Sequence, residues 1–114
     1  MSFIELSEDD RQILLTLARE SIRVRLLFDR DLQIDETVFS HALQQPACSF
    51  VTLKIKQALR GCIGSTEASR PLVVDVVHHA ASAALDDPRF PPLSLQEEAL
   101  VSIEISVLTE AMPL

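Results

Sequence analysis

"ACSFVTLKIKQALRGCIG", residues 47–64, decides the fold. Its first half is rich in β-branched and aromatic residues and alternates: Val51, Leu53 and Ile55 on one face, Phe50, Thr52 and Lys54 on the other. Residues 57–64 read as a second strand after a tight connection around Lys56 and Gln57, so the stretch predicts a β-hairpin. If the second strand is regular, Leu59, Gly61 and Ile63 share one face, and Arg60, Cys62 and Gly64 share the opposite one. Both of the chain's two glycines, Gly61 and Gly64, lie here and flank one of its two cysteines.

Upstream, residues 7–27 read as a helix. Ser7 suits the N-cap, acids fill the first turn, and Ile13, Leu14, Leu17, Ala18 and Ile22 form an apolar stripe at helical spacing. The polar run 28–35 ends it, and 36–43 reads as a short helix or turn leading to Pro46. Downstream, residues 71–87 form the clearest helix, with Pro71 at its first position, Asp75 early and a broad face of Val and Ala that allows close approach to a sheet. Pro88 stops it, and 87–94 is a stiff, proline-rich loop. Residues 97–108 end in a third strand, where Val101, Ile103, Ile105 and Val107 alternate with Ser102, Glu104 and Ser106. The order predicts an α+β fold with helices on one face of a mostly antiparallel sheet, in one domain over residues 1–114.

Composition narrows the function classes. With 114 residues, 47% of them hydrophobic, the chain suits one small globular core. It lacks the basic and apolar regions of a signal peptide, and no apolar run approaches the about 20 residues that span a bilayer, so a cytoplasmic protein without membrane contact is expected. A net charge of −7 and the lack of Trp and Tyr argue against a nucleic-acid binder. The bases at 19–30 read as the solvated face of the first helix. Two cysteines without CxxC spacing make no disulfide framework, and Cys48 reads as a small buried hydrophobe.

Candidate sites centre on the second strand. A cation on the face of Cys62 would favour its thiolate, so Arg60 and Cys62 are the candidate catalytic pair, although no general base is placed beside them. The glycines before a helix, with Ser65, Thr66, Ser69 and Arg70, form a candidate anion site, yet neither a Walker loop nor a dinucleotide fingerprint is present. Both glycines equally suit a strand that packs closely against a neighbour or carries a bulge. Arg89, held between prolines, is placed to pair with a carboxylate. Asp75 and His79 can meet on one helix face, but two ligands make no metal site. No cofactor motif and no metal site are read from the chain. A redox pair of Cys48 and Cys62 requires Cα atoms within about 7 Å.

"LRGCIGS", "RPL", "AALDDPRFPPLS", "IEISVL" and the final "PL" resemble, in order and spacing, the AMMECR domain family, whose bacterial and archaeal members are labelled AmmeMemoRadiSam system protein A. The resemblance runs from Phe50 to Leu114 and is most specific at 59–64 and 87–93. It implies two subdomains around antiparallel sheet, association with Memo-like and radical SAM proteins, and no established activity. By motif it carries over Leu59, Arg60, Gly61, Cys62, Ile63 and Gly64, with Arg89 from the second run. Thr66, His79 and Leu85 depart from the pattern, where an aliphatic residue, Asn and Phe are usual. The family usually continues for some tens of residues beyond "EAMPL", so the chain resembles the first two-thirds of the domain, its larger subdomain, with a sheet edge open to self-association. Two functional readings stay open: a binding or regulatory module that uses the 59–64 strand together with Ser65, Arg70 and Arg89, and an enzyme that uses Cys62 as an Arg60-activated nucleophile.

Overall fold

The computed structural model describes residues 6–108. Helix α1 (Glu8–Phe28) is followed by a 3-10 turn (Glu36–Val38), a four-residue helix α2 (His41–Gln44), strands β1 (Cys48–Ile55) and β2 (Ala58–Gly64), helix α3 (Leu72–Leu85), a second four-residue helix α4 (Leu95–Glu98) and strand β3 (Ser102–Leu108). The strands form one antiparallel sheet in the order β2-β1-β3, and α1 and α3 pack together across one face of it. The expected α+β class is therefore the observed one.

Local chemistry explains the elements. The Ser7 hydroxyl accepts the N–H of Asp10 at 3.1 Å, and Glu8, Asp9 and Asp10 stand in the first turn of α1, where the helix dipole favours negative charge. Asp29 ends the helix in the left-handed conformation, φ 50°. The hairpin turns on Lys56 and Gln57, at φ 51° and 68°, the double left-handed pattern whose twist matches that of paired strands. Pro71 stands at the N-cap of α3 rather than at its first helical position, and the Leu72 N–H donates to the Gln45 carbonyl at 2.9 Å.

Leu14, Ala18 and Ile22 of α1, Val73, Val76 and Ala80 of α3, and Val51 and Leu53 of β1 form the buried centre. The expected solvated role of the basic run on α1 is corrected at Arg19, while Arg23 stays exposed and only its Nε is engaged. Arg19 donates to the carbonyls of Glu98 (2.7 Å) and Val101 (2.6 Å), and Arg23 Nε lies 2.8 Å from the buried Glu98 carboxylate. These contacts tie α1 to the end of α4, whose terminal carbonyls have no helical partner of their own.

The two glycines have separate packing roles, and neither has positive φ. Gly61 faces α3 so closely that a Cβ there would overlap the Ala83 carbonyl oxygen. Gly64 opposes Phe50, and its Cβ would strike the Phe50 ring and come within 2.6 Å of the Ser49 carbonyl oxygen. Gly61→Ala must push helix and strand apart, and is expected to destabilise the protein by about 2 kcal/mol or more. Urea-induced unfolding measures this, and a loss below about 0.5 kcal/mol would show that α3 can move away freely.

Candidate functional site

The pairing of β2 with β1 breaks once. Leu53 opposes Gly61 but Lys54 opposes Leu59, so Arg60 is the extra residue of a bulge. The period-two expectation for Arg60 and Cys62 therefore fails at this point. The Arg60 side chain reaches the segment lying along the free edge of β2. Its Nε and Nη2 grip the two Glu97 carboxylate oxygens at 2.8 and 3.0 Å, and Nη2 also donates to the Pro91 carbonyl at 2.9 Å. Glu97 meanwhile closes a reciprocal cap with Ser94 at the start of α4. The Arg60 guanidinium, helped by the Ser94 N–H, holds the Glu97 carboxyl down to about 2 from its usual 4.5.

One residue pair further along, Cys62 opposes Thr52, and its N–H points away from β1 to the Asp87 carboxylate at 3.0 Å. Arg89 forks onto the same carboxylate at 3.0 and 2.7 Å and lies 3.5 Å from the Cys62 carbonyl oxygen. The Asp87 side chain is 2% exposed, and the hydrogen bonds of Arg89, with those of the Cys62 and Arg89 N–H groups, hold its carboxyl far below the usual range against the opposing effect of burial. The Phe90 ring lies under both cations, 5.8 Å from Arg60 and 5.6 Å from Arg89. The 87–93 stretch thus supplies the polar groups that a neighbouring strand would have offered to β2.

The sheet face away from the helices carries Phe50, Thr52, Cys62 and Gly64, all half-buried, with the Lys54–Glu104 ion pair (3.1 Å) at one end. Cys62 Sγ lies 3.3 Å from Thr52 Oγ1. Cys48 is fully buried and four residues from Thr52 along β1, which puts it about 13 Å from the pair partner of Cys62. That separation rules out the disulfide considered from the sequence.

A second cluster lies where β2 leaves the sheet. Asp75 of α3 accepts the Ser49 N–H (2.9 Å), the Ser49 hydroxyl (2.6 Å) and Arg70 Nε (2.8 Å). His79 Nδ1 sits 3.0 Å from Ser49 Oγ and 3.2 Å from Asp75, while Nε2 faces Arg70 Nη2 at 3.5 Å. Burial pushes the Asp75 carboxyl up, but the hydrogen bonds of His79, Ser49 and Arg70 outweigh it and hold the group below its usual value. The donor pattern places the imidazole proton on Nδ1. Ser49 and Asp75 both sit at that nitrogen, so the imidazole cannot relay a proton from one to the other, and the buried Ser49 is no nucleophile.

In front of this cluster, Phe50, Gly64, Ser65, Thr66, Glu67, Ser69 and Arg70 border an open groove of about 510 Å³. Of the residues singled out in the sequence, Ser65, Gly64 and Arg70 meet here, Arg60, Cys62 and Arg89 meet along the β2 edge, and Leu59 stays exposed near the turn. Gly61 and Ile63 face the helices. Asp87, Glu97 and Ser49 were missed, although the Asp-x-Arg spacing of 87 and 89 is a legible local pair. Among the described residues, no group of three or more His, Cys, Asp or Glu side chains is placed to hold a metal, and no helix is long and apolar enough to cross a membrane.

Fold and site together define a small α+β fold whose edge strand is braced by a proline-rich segment. The chain belongs to the AMMECR1 family, whose model matches residues 15–114. It is 38% identical over 114 residues to a protein of Methanothermobacter thermautotrophicus, covering 100% of this chain and 59% of the relative. A Methanopyrus kandleri protein is 42% identical over 110 residues, covering 92% of this chain and 51% of its own length. An uncharacterized protein of Pyrococcus horikoshii, solved by crystallography, superposes with a TM-score of 0.84 at 32% identity, over 91% of this chain and 53% of that one. The chain therefore spans roughly half the length of the relatives it matches.

The Arg60–Glu97 pair has a pH signature. A carboxyl whose pKa is lower in the folded state contributes stability that is present above its unfolded pKa and lost as pH falls through the folded one. Stability is expected to drop as pH falls from about 4.5 to about 2. In Glu97→Gln this part of the drop should disappear from denaturant titrations repeated across that range. An unchanged pH profile would contradict the pairing.

Proposed function

We propose that this chain is a binding module whose contact surface is the helix-free face of the β1–β2 hairpin, together with the groove where β2 ends. The observation that carries the reading is the engagement of Arg60. Its charge is matched by Glu97, and its Nε and Nη2 donors are taken by that carboxylate and by the Pro91 carbonyl, which supports a bracing role for it over service to the thiol. What the strand leaves open is the half-exposed patch of Phe50, Thr52, Cys62 and Gly64 on an otherwise acidic protein. Bracing by 87–98 makes the surface rigid, which lowers the entropic cost of binding. Association with Memo-like and radical SAM proteins, implied by the family resemblance, would use this face. Self-association would use the outer edge of β3, which pairs with no strand among the described residues.

The enzymatic alternative, Cys62 as a thiolate nucleophile, draws support from the exposure of Cys62 on that face and from Arg89 beside its carbonyl. Among the described residues no histidine stands beside it: His41 contacts Gln45, and His78 and His79 face each other on α3.

The two readings separate in one experiment. Isotope-labelled protein is titrated with a panel of amino acids, short peptides, nucleosides and sugar phosphates while amide signals and ligand concentrations are followed. The binding reading expects shifts at residues 50, 52 and 62–66 without consumption of the ligand. Thr52→Arg, which plants a charge in the patch, should weaken that binding about tenfold or more with little change in the unfolding midpoint. Turnover that disappears in Cys62→Ser would establish the enzymatic reading instead.

A further inference from the structure

The groove at the end of β2 contains a guanidinium held from behind. Arg70 Nε donates to Asp75 at 2.8 Å, and Nη2 lies 3.5 Å from His79 Nε2. Asp75 is 1% exposed and His79 5%, and Ser49, completely buried, fixes both. Three buried polar side chains thus orient one half-buried arginine by its Nε–Nη2 edge. Among the described residues, Arg70 Nη1 has no partner. A guanidinium fixed along one edge offers the Nη1–Nη2 end to a second planar acceptor in a defined direction.

The surroundings select the acceptor. Arg70 also borders a hollow of about 290 Å³ on its other side, but Asp31 and Glu36 line it and repel anions. On the groove side the lining hydroxyls are Ser65, Thr66 and Ser69, and the Asp75 carboxylate that also lines it is buried and already taken by Ser49 and Arg70. Glu67 adds one exposed carboxylate there, which opposes a dianion and favours a ligand that brings its own cation. Phe50 supplies an apolar wall. A volume of about 510 Å³ falls within the range of small-molecule sites.

We propose that this groove is a receptor for a small zwitterion, of which a free amino acid with an apolar side chain is the simplest. The carboxylate sits on the open end of Arg70, the ammonium group faces Glu67, and the side chain lies along Phe50. The proposal rests on the binding-module reading and names the ligand class of one part of its surface.

Leucine, acetate and inorganic phosphate are the probes, each titrated into isotope-labelled protein while the amides of 64–70 and the Arg70 Nε–H are observed. Leucine is expected to shift these signals, with acetate about tenfold weaker and phosphate weaker still. Arg70→Gln should weaken leucine binding about tenfold or more. Glu67→Gln changes an exposed side chain and leaves folding intact, so it tests the site independently. It should lower leucine to the level of acetate. The proposal is overturned if leucine leaves residues 64–70 unmoved, if phosphate binds more tightly than leucine, or if Glu67→Gln leaves the preference for leucine over acetate intact. Shifts confined to residues 52 and 62 would remove the Arg70 site while the wider binding reading stands. Silence of the whole sheet toward every member of the panel would remove both.

Discussion

The edge of this sheet depends on the missing side chain at Gly61. Because strand β2 has no Cβ there, the last turn of α3 lies against it, with the Ala83 carbonyl in the space a methyl group would fill. The chain leaves α3 beside β2, and Asp87 arrives at the Cys62 N–H, which points away from β1. The following residues run back along the strand, so that Pro91, Pro92 and Glu97 come within reach of Arg60. Two stretches that look like separate signatures in the sequence are thus one object, an edge strand and the cover that closes it. A sheet edge left with bare donors and acceptors invites other strands. Here carboxylates and guanidinium groups occupy it over the length that matters for the site.

That arrangement bears on the chemistry. A thiol gains nucleophilic character from an uncompensated neighbouring cation. Arg60 has its counter-ion 2.8 Å away, and Arg89 has Asp87 at 2.7 Å, so each cation beside the strand carries its own carboxylate. The same pairs make the strand stiff. Stiffness serves recognition by lowering the entropic cost of contact, which is the ground on which we propose a binding surface. Arg70 is built on the same principle, with a buried carboxylate behind the guanidinium, but it borders an open groove.

Much of this fold was legible in the sequence, because periodicity reports burial. The alternation at 47–64 and 101–107 placed three strands, and the apolar stripe from Ile13 to Ile22 placed α1. Helix α4 went unseen since four residues carry no period. The bulge at Arg60 broke the period-two rule that joined Arg60 to Cys62; the neighbouring Gly61 is compatible with a bulge, but it does not say which residue is the extra one. Long-range pairs were invisible for the same reason: Arg19 meets Glu98 and Arg60 meets Glu97 only once α4 is in place. The Asp75–His79 contact was readable as an i, i+4 pair, whereas Ser49 joins it from a strand 26 residues away.

The account stands or falls on what protects the Cys62 amide. This N–H points off the edge of the sheet, where no strand among the described residues covers it, and its partner is the Asp87 carboxylate. Amide hydrogen exchange, measured residue by residue in the native protein and in Asp87→Ala, tests this most directly. The structure predicts protection of Cys62 in the native protein and its loss by about tenfold or more in the variant, with Val51 and Leu53 of β1 little changed. A Cys62 amide that exchanges as fast as an open edge in the native protein, or that stays protected without Asp87, would contradict it.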